Sequence, residues 1–312
     1  MAGEFGRIWH DKLMMIWITF FSIAVGQILV AGLLRGKFSR LAVWVMMLGC
    51  VTVMHWVSLG EPALMRMIWI CSVLMAGMKA ITYREWCADG DGRLTWSRWL
   101  MFSCLWFGMN PGAFEVSRKM EWKSHAVVGS LCIISGLVGV WICYLLDVRN
   151  VVILFVVMSV AFHFGALRLM TAFWRMMGFP VRVLFRNPFK LRGFRDFWGK
   201  RWNLAYSQMM ARAVKRPLTS FLGERGSMFG VFVVSGLLHE LAITVPVGGG
   251  YGLPTLFFLV HGAFCVLEKK NSVTMGMLCG LVLVFGVPFL FGNKFVEEVI
   301  LPSRDVMKLI TF

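Results

Sequence analysis

His239 sits in the run MFGVFVVSGLLHELAITVPV, eleven residues beyond Met228, and Glu240 follows it directly. Imidazole is the side chain best suited to take a proton from a weak acid near neutral pH. At 1.5 Å per residue the ring lies ~16 Å along an apolar stretch of roughly 28 Å. Two ionisable groups midway through such a stretch are costly to bury and mark a functional site. Ser235, one helical turn earlier, shares a face with His239, so its hydroxyl is expected to fix the ring's orientation. Gly230 and Gly236 leave room for a chain or a neighbouring helix. The plain alternative is a core histidine bonded to another helix. His163 and His261, also in apolar runs, suit that plain reading or a supporting role.

Spacing excludes several other chemistries. No histidine begins H-x4-D, and His239-Glu240 has no second histidine at the fifth position, so H-E-x-x-H is absent. There is no P-loop, no dinucleotide-binding glycine pattern and no G-x-S-x-G elbow. The eight cysteines (Cys50, Cys71, Cys87, Cys104, Cys132, Cys143, Cys265 and Cys279) form no C-x-x-C pair. Most fall in apolar runs, where cysteine acts as a small apolar side chain. Neither a disulfide framework nor a metal site is expected.

A second region carries unusual chemistry. Residues 181–216, VRVLFRNPFKLRGFRDFWGKRWNLAYSQMMARAVKR, hold ten Lys or Arg and one acid, Asp196. Phe185, Phe189, Phe194, Phe197, Trp198, Trp202 and Tyr206 interleave with the cations. This reads as an interfacial amphipathic helix with its aromatics at the headgroup level. It reads equally as the mouth of a pocket whose basic side chains hold phosphates. Asn187-Pro188 starts a turn and Gly193 interrupts the pattern. Beyond Trp198 a helix is predicted through Met210, with Asn203, Tyr206 and Ser207 on one face. An amide on that face can orient a substrate; a lone Asn there is otherwise a capping or solvated residue.

What must position these groups is a membrane bundle. Of 312 residues 58% are hydrophobic and only 15% charged, the mean hydropathy is +0.72, and the charges cluster between long apolar runs. The net charge of +16 suits basic loops beside membrane helices and anionic lipid headgroups, not nucleic acid. A span needs about 20 apolar residues. Runs 13–34, 41–59, 126–146, 151–167, 228–246, 253–267 and 273–292 approach that length. An eighth, 63–81, has Arg66 and Lys79 near its ends, where long side chains are expected to snorkel. Trp99 to Met109 is too short and stops at Asn110-Pro111-Gly112, so it is read as a re-entrant or interfacial helix. Arg35, Lys37 and Arg40 follow the first span and assign their loop to the cytoplasm. Alternation then puts 79–125, 168–227 and Lys269-Lys270 inside, and Glu61, 147–150 and 247–252 outside. The expectation is an all-α bundle of about eight transmembrane helices in one domain over 1–312, with both termini outside.

LRGFRDFWGKRWN (191–203) and VVSGLLHEL (233–241) together resemble the membrane-bound O-acyltransferase superfamily, within it the wax synthase branch. The carrier is F-W-x-x-x-W-N followed, 36 residues later, by a histidine inside S-G-L-L-H-E. PVGGGYGLPTLFFLVHG (246–262) is similar to bacterial members, and MKAITYREW (78–86) with LTWSRWLMFSCLWFGMNP (94–111) less specifically. The resemblance implies the membrane-bound O-acyltransferase fold, with its signature over 181–246. It implies transfer of a fatty acyl group from acyl-CoA, as co-substrate and without a further cofactor, to the hydroxyl of a lipid-like alcohol. His239 would be the general base. Asn203, the second signature residue, would donate to the carbonyl oxygen or position CoA. Trp198, Trp202, Tyr206, Ser235 and Glu240 would contact substrate, and Arg192, Arg195, Lys200 and Arg201 the CoA phosphates. Implied partners are a long-chain alcohol, a diacylglycerol or a sterol-like alcohol, together with membrane lipids. The setting would be a bacterial cytoplasmic membrane, with 168–227 on the cytoplasmic side.

Two rival readings use the same residues. A transporter would employ His239 and Glu240 in mid-membrane, but the inverted repeats and paired broken helices of that class are not evident. A non-catalytic assembly partner would leave the aromatic and basic segment as a lipid-binding surface.

Overall fold

Apolar runs of this length have one solution in a bilayer: a helix, which satisfies every backbone polar group within the segment. The computed structural model describes residues 2–33, 39–90 and 92–310, and among them every regular element is helical. Arg35 and Lys37, on which the orientation leans, lie outside the described residues.

The elements follow in order as α1 (Ala2–Leu33), α2 (Ser39–Val57), α3 (Ala63–Ala88), α4 (Trp96–Leu105), α5 (Lys123–Leu145) and α6 (Val151–Met176). After an extended stretch come α7 (Phe194–Lys200), α8 (204–222), α9 (224–247), α10 (Leu253–Leu267), α11 (273–291) and α12 (293–305). Gly223, at φ 64° and ψ −178°, separates α8 from α9, a conformation open to glycine and costly for other residues. Gly292, at φ 62° and ψ 159°, likewise ends α11. Several starts are capped by side chains: Asn150 accepts from the amides of Val152 and Ile153, and Ser272 from that of Met275.

Among the described residues seven stretches are long and apolar enough to cross a membrane, and α10, at 15 residues, is shorter. These stretches and α10 pack against one another as a helical bundle. Contacts define its two ends. At one, Arg66 reaches the carbonyl of Pro246, and Arg304 of α12 pairs with Asp147. At the other, Ser272 N donates to Arg192 O, and Arg216 pairs with Asp89. The Arg216 guanidinium beside Asp89 holds that carboxyl below its usual range. Interior contacts are apolar, through Val43, Met47, Met54, Ile70, Val73 and Ile81 of α2 and α3. Leu41, Trp56, Leu131, Ile134 and Phe285 point outward, the inverse of a soluble protein and suited to lipid.

Two charged side chains correct the snorkelling expectation. Lys79 is fully buried. Its ammonium donates to Phe102 O at 2.9 Å and Gly108 O at 2.5 Å, and lies 3.9 Å above the Phe102 ring. Phe102 O is one of the last-turn carbonyls of α4 and Gly108 O lies just beyond its end, so the lysine fastens the short helix to α3. Helix α4, ten residues long, and the extended Trp106–Asn110 are thereby held against α3. Arg66 does not simply reach for water either. It bonds Pro246 O at 2.6 Å, Val245 O at 3.3 Å and His55 Nδ1 at 3.0 Å, closing the end of α9.

Candidate active site

Residues 181–216 do not form one interfacial helix. Two pieces of this segment pair: Arg186 N donates to Arg201 O and Leu204 N to Leu184 O, both at 2.8 Å. The chain descends through α7, turns at Arg201–Asn203 and returns along α8. The helix expected to run unbroken through Met210 is broken because Asn203 takes the left-handed conformation, φ 42° and ψ 61°. Aromatics expected at the headgroups are inside instead: Phe194 is 0% exposed and Phe197 4%. The acid among them, Asp196, is buried and receives Arg201 Nε at 2.5 Å and Arg192 N at 3.0 Å.

The turn at Asn203 leads into the residue that meets the histidine of α9. Tyr206 stands edge-on to His239, with ring centroids 5.9 Å apart. Phe258 of α10 covers the His239 ring at 4.2 Å. Helices α9 and α10 come this close because position 236 is glycine: a Cβ there would lie 2.8 Å from Thr255 Cα. His239 Nδ1 is 2.7 Å from Ser235 O. A carbonyl only accepts, so Nδ1 carries a hydrogen, and in the neutral ring Nε2 is the unprotonated nitrogen. The ring is thus oriented by the Ser235 carbonyl, not by the hydroxyl, which donates to Val231 O at 2.7 Å.

Glu240, one residue on, turns away to the start of α10. Its Oε1 accepts from Gly252 N (3.0 Å), Thr255 N (3.0 Å) and Thr255 Oγ1 (2.7 Å), and its Oε2 accepts from Thr244 Oγ1 (2.7 Å). The extra helical turn at Glu240–Thr244 is a π segment, as is Val160–Ala166 around His163. Such bulges recur at functional sites.

Trp198 and Trp202 connect the other two histidines to this centre. Trp198 packs against Phe258 at 5.4 Å and His261 at 5.5 Å, while Trp202 packs against His163 at 5.3 Å and Phe197 at 5.6 Å. His261 Nδ1 donates to Phe257 O at 2.8 Å. Around this aromatic cluster Tyr206 Oη, Trp198 Nε1, His261 Nε2 and His163 Nδ1 are buried and meet no partner with hydrogen-bond geometry among the described residues. Buried polar atoms of this kind call for an explanation. Phe258 and His261 owe their place to the α9–α10 approach, for which Gly236 was expected to leave room; Gly262, against Phe232, serves the same approach and was not singled out.

The cations divide into two kinds. Arg195 is engaged: its Nε donates to Cys265 O at 2.6 Å, closing the end of α10, and its amide donates to Glu268 at 2.8 Å. Arg201 holds Asp196 and Asn187 O. Arg192 and Lys200 are exposed, with no side-chain bond to another described group.

Much of the region just described is similar to known proteins. The family model described as membrane bound O-acyl transferase family matches residues 181–260. Over that segment the chain is similar to this family. Probable long-chain-alcohol O-fatty-acyltransferase 1 of Arabidopsis thaliana is 34% identical over 102 residues, 30% of each chain. Acyl-CoA–sterol O-acyltransferase 1 of the same plant is 42% identical over 73 residues, 21% of each chain. The long-chain-alcohol O-fatty-acyltransferase of Simmondsia chinensis is 29% identical over 131 residues, covering 35% of this chain and 37% of the relative. The chain thus matches about a third of the length of these relatives or less.

Proposed function

We propose that this protein is a membrane-embedded O-acyltransferase that moves a fatty acyl group from acyl-CoA to the hydroxyl of a long-chain or sterol-like alcohol. The observation that carries the reading is the His239 tautomer: Nδ1–H is committed to Ser235 O, so Nε2 is the basic nitrogen. In the scheme, Nε2 takes the alcohol's proton as its oxygen attacks the thioester carbonyl. The tetrahedral intermediate then collapses, the C–S bond breaks, and the imidazolium returns the proton to the CoA sulfur. The aromatic walls of Phe258, Trp198 and Trp202 keep water from competing with the alcohol. Arg192 and Lys200, the unengaged cations, meet the CoA phosphates, and Arg195 and Arg201 hold the segment that presents them. One membrane domain over 1–312 carries the activity, with 168–227 on the cytoplasmic side.

The matched relatives are named for long-chain alcohols and a sterol, which supports a lipid acceptor. Glu240 has both oxygens engaged by α10 and Thr244, which weakens a transport path through a His239–Glu240 pair. The test is ester formation from radiolabelled palmitoyl-CoA by purified protein in detergent, with hexadecanol, a sterol, diacylglycerol and water in parallel. Ester with a lipid alcohol is the expected result. Failure across a broad acceptor panel would count against the reading.

A further inference from the structure

Asn203 is the second signature residue, yet its side-chain oxygen is already taken: Oδ1 accepts from Tyr206 N at 3.2 Å. Asparagine is among the best N-caps and among the few residues that tolerate left-handed backbone, and at this position both properties are used. A residue in that role decides where the first turn of the following helix points. Here it points Tyr206, whose ring stands at 81° to the His239 ring with centroids 5.9 Å apart. The Tyr206 hydroxyl is buried beside the Ser235 hydroxyl, one turn before His239; that neighbour donates to Val231 O, and among the described groups none meets Tyr206 Oη with hydrogen-bond geometry. A phenolic O–H left in an apolar interior without a partner costs free energy unless something polar comes to meet it.

We propose that Tyr206 is a further catalytic residue, its hydroxyl donating to the carbonyl oxygen of the acyl donor, and that Asn203 acts through it as a positioning residue. The inference rests on the acyl-transfer reading above. In the step concerned, the alcohol oxygen forms its bond to the thioester carbon while His239 Nε2 takes the alcohol proton. The C=O electron pair moves onto the carbonyl oxygen. The Tyr206 hydroxyl stabilises that oxyanion by a hydrogen bond and keeps its own proton. When the C–S bond breaks, the electron pair returns, the sulfur leaves with the proton from His239, and Tyr206 is unchanged. The rival role has the Asn203 amide touch the substrate itself, and the two make opposite demands on conservative variants.

The test measures kcat, KM for palmitoyl-CoA and thermal unfolding on the full chain in detergent, with the acceptor that wild type uses best. Tyr206→Phe removes one oxygen. It is expected to melt with wild type, keep KM within about twofold and lose kcat by roughly 100-fold, the usual effect of removing one oxyanion donor. Asn203→Asp keeps a capping oxygen and is expected to hold kcat within about fivefold of wild type, whereas Asn203→Ala falls as far as Tyr206→Phe. Because both act on one hydrogen bond, the double variant Asn203→Ala, Tyr206→Phe should be no slower than Tyr206→Phe alone. Tyr206→Phe within about threefold of wild type overturns the proposal, because an oxyanion donor is worth far more. Asn203→Asp as inactive as Asn203→Ala overturns it too, in favour of the amide. An active wild type beside an active Tyr206→Phe sinks only this inference; a wild type that makes no ester sinks the acyl-transfer reading and this inference with it.

Discussion

Replacing Glu240 separates a structural latch from a chemical partner of His239. The carboxylate satisfies two amides in the first turn of α10, Gly252 and Thr255, which have no partner within the helix, and two hydroxyls, Thr255 and Thr244. Hydrogen bonds to a charged acceptor are worth about 1.5–3 kcal/mol each, but four that share one carboxylate do not add. Gly252 N lies at an exposed position where water can replace the acceptor; the Thr255 pair is partly buried. Glu240→Ala is therefore expected to cost about 2–3 kcal/mol, close to the upper range for a lost cap. For a chain of this size that lowers Tm by roughly 4–8 °C. Glu240→Gln keeps an amide oxygen for Gly252 and Thr255, and Thr244 retains its bond to Glu240 O at 2.9 Å. Its loss should stay under about 1 kcal/mol, with most activity kept. Tryptophan fluorescence melts in detergent and ester formation on the same preparations check both variants. A Glu240→Gln protein with wild-type Tm and no activity would refute the latch and make the carboxylate part of the chemistry; a Glu240→Ala protein with wild-type Tm would refute the energetics.

Other expectations follow from the same contacts. Lys79→Met fills the volume but leaves Phe102 O and Gly108 O without a donor, so it should destabilise by about 2–4 kcal/mol. The 92–122 segment should become open to limited proteolysis, and an unchanged cleavage pattern would show that the ammonium is not what fastens α4. Asp89 is held below its usual range chiefly by its hydrogen bond with Arg216. A depressed carboxylate contributes stability that is present above its ordinary value of 3.8 and lost as pH falls through the lower folded value. Asp89→Asn should therefore melt below wild type near neutral pH and converge with it under strong acid; parallel melting curves from pH 7 to pH 2 would rule the linkage out.

The helices able to cross a membrane were legible because span length is set by bilayer thickness, and apolar runs near that length admit one backbone solution. His239 stood out for the same reason, being an ionisable group where ionisable groups are expensive. The turn at Asn203 was not legible. Local propensity favours helix after Trp198, and the reversal at Asn203 comes from pairing with 184–186, a contact no spacing rule announces. Lys79 was misread because snorkelling is the rule near span ends, and its acceptors lie 23 and 29 residues away. For Ser235 the helical face was right and the atom wrong: one turn of helix offers a carbonyl as readily as a hydroxyl.

The most direct test of the central claim is ester formation by His239→Ala beside wild type, at matched folding judged by Tm, with palmitoyl-CoA and the best lipid alcohol. The account predicts that wild type makes ester and that the variant loses activity by at least about 100-fold, the low end for removing a positioned general base. A folded His239→Ala protein that makes ester at the wild-type rate would contradict it.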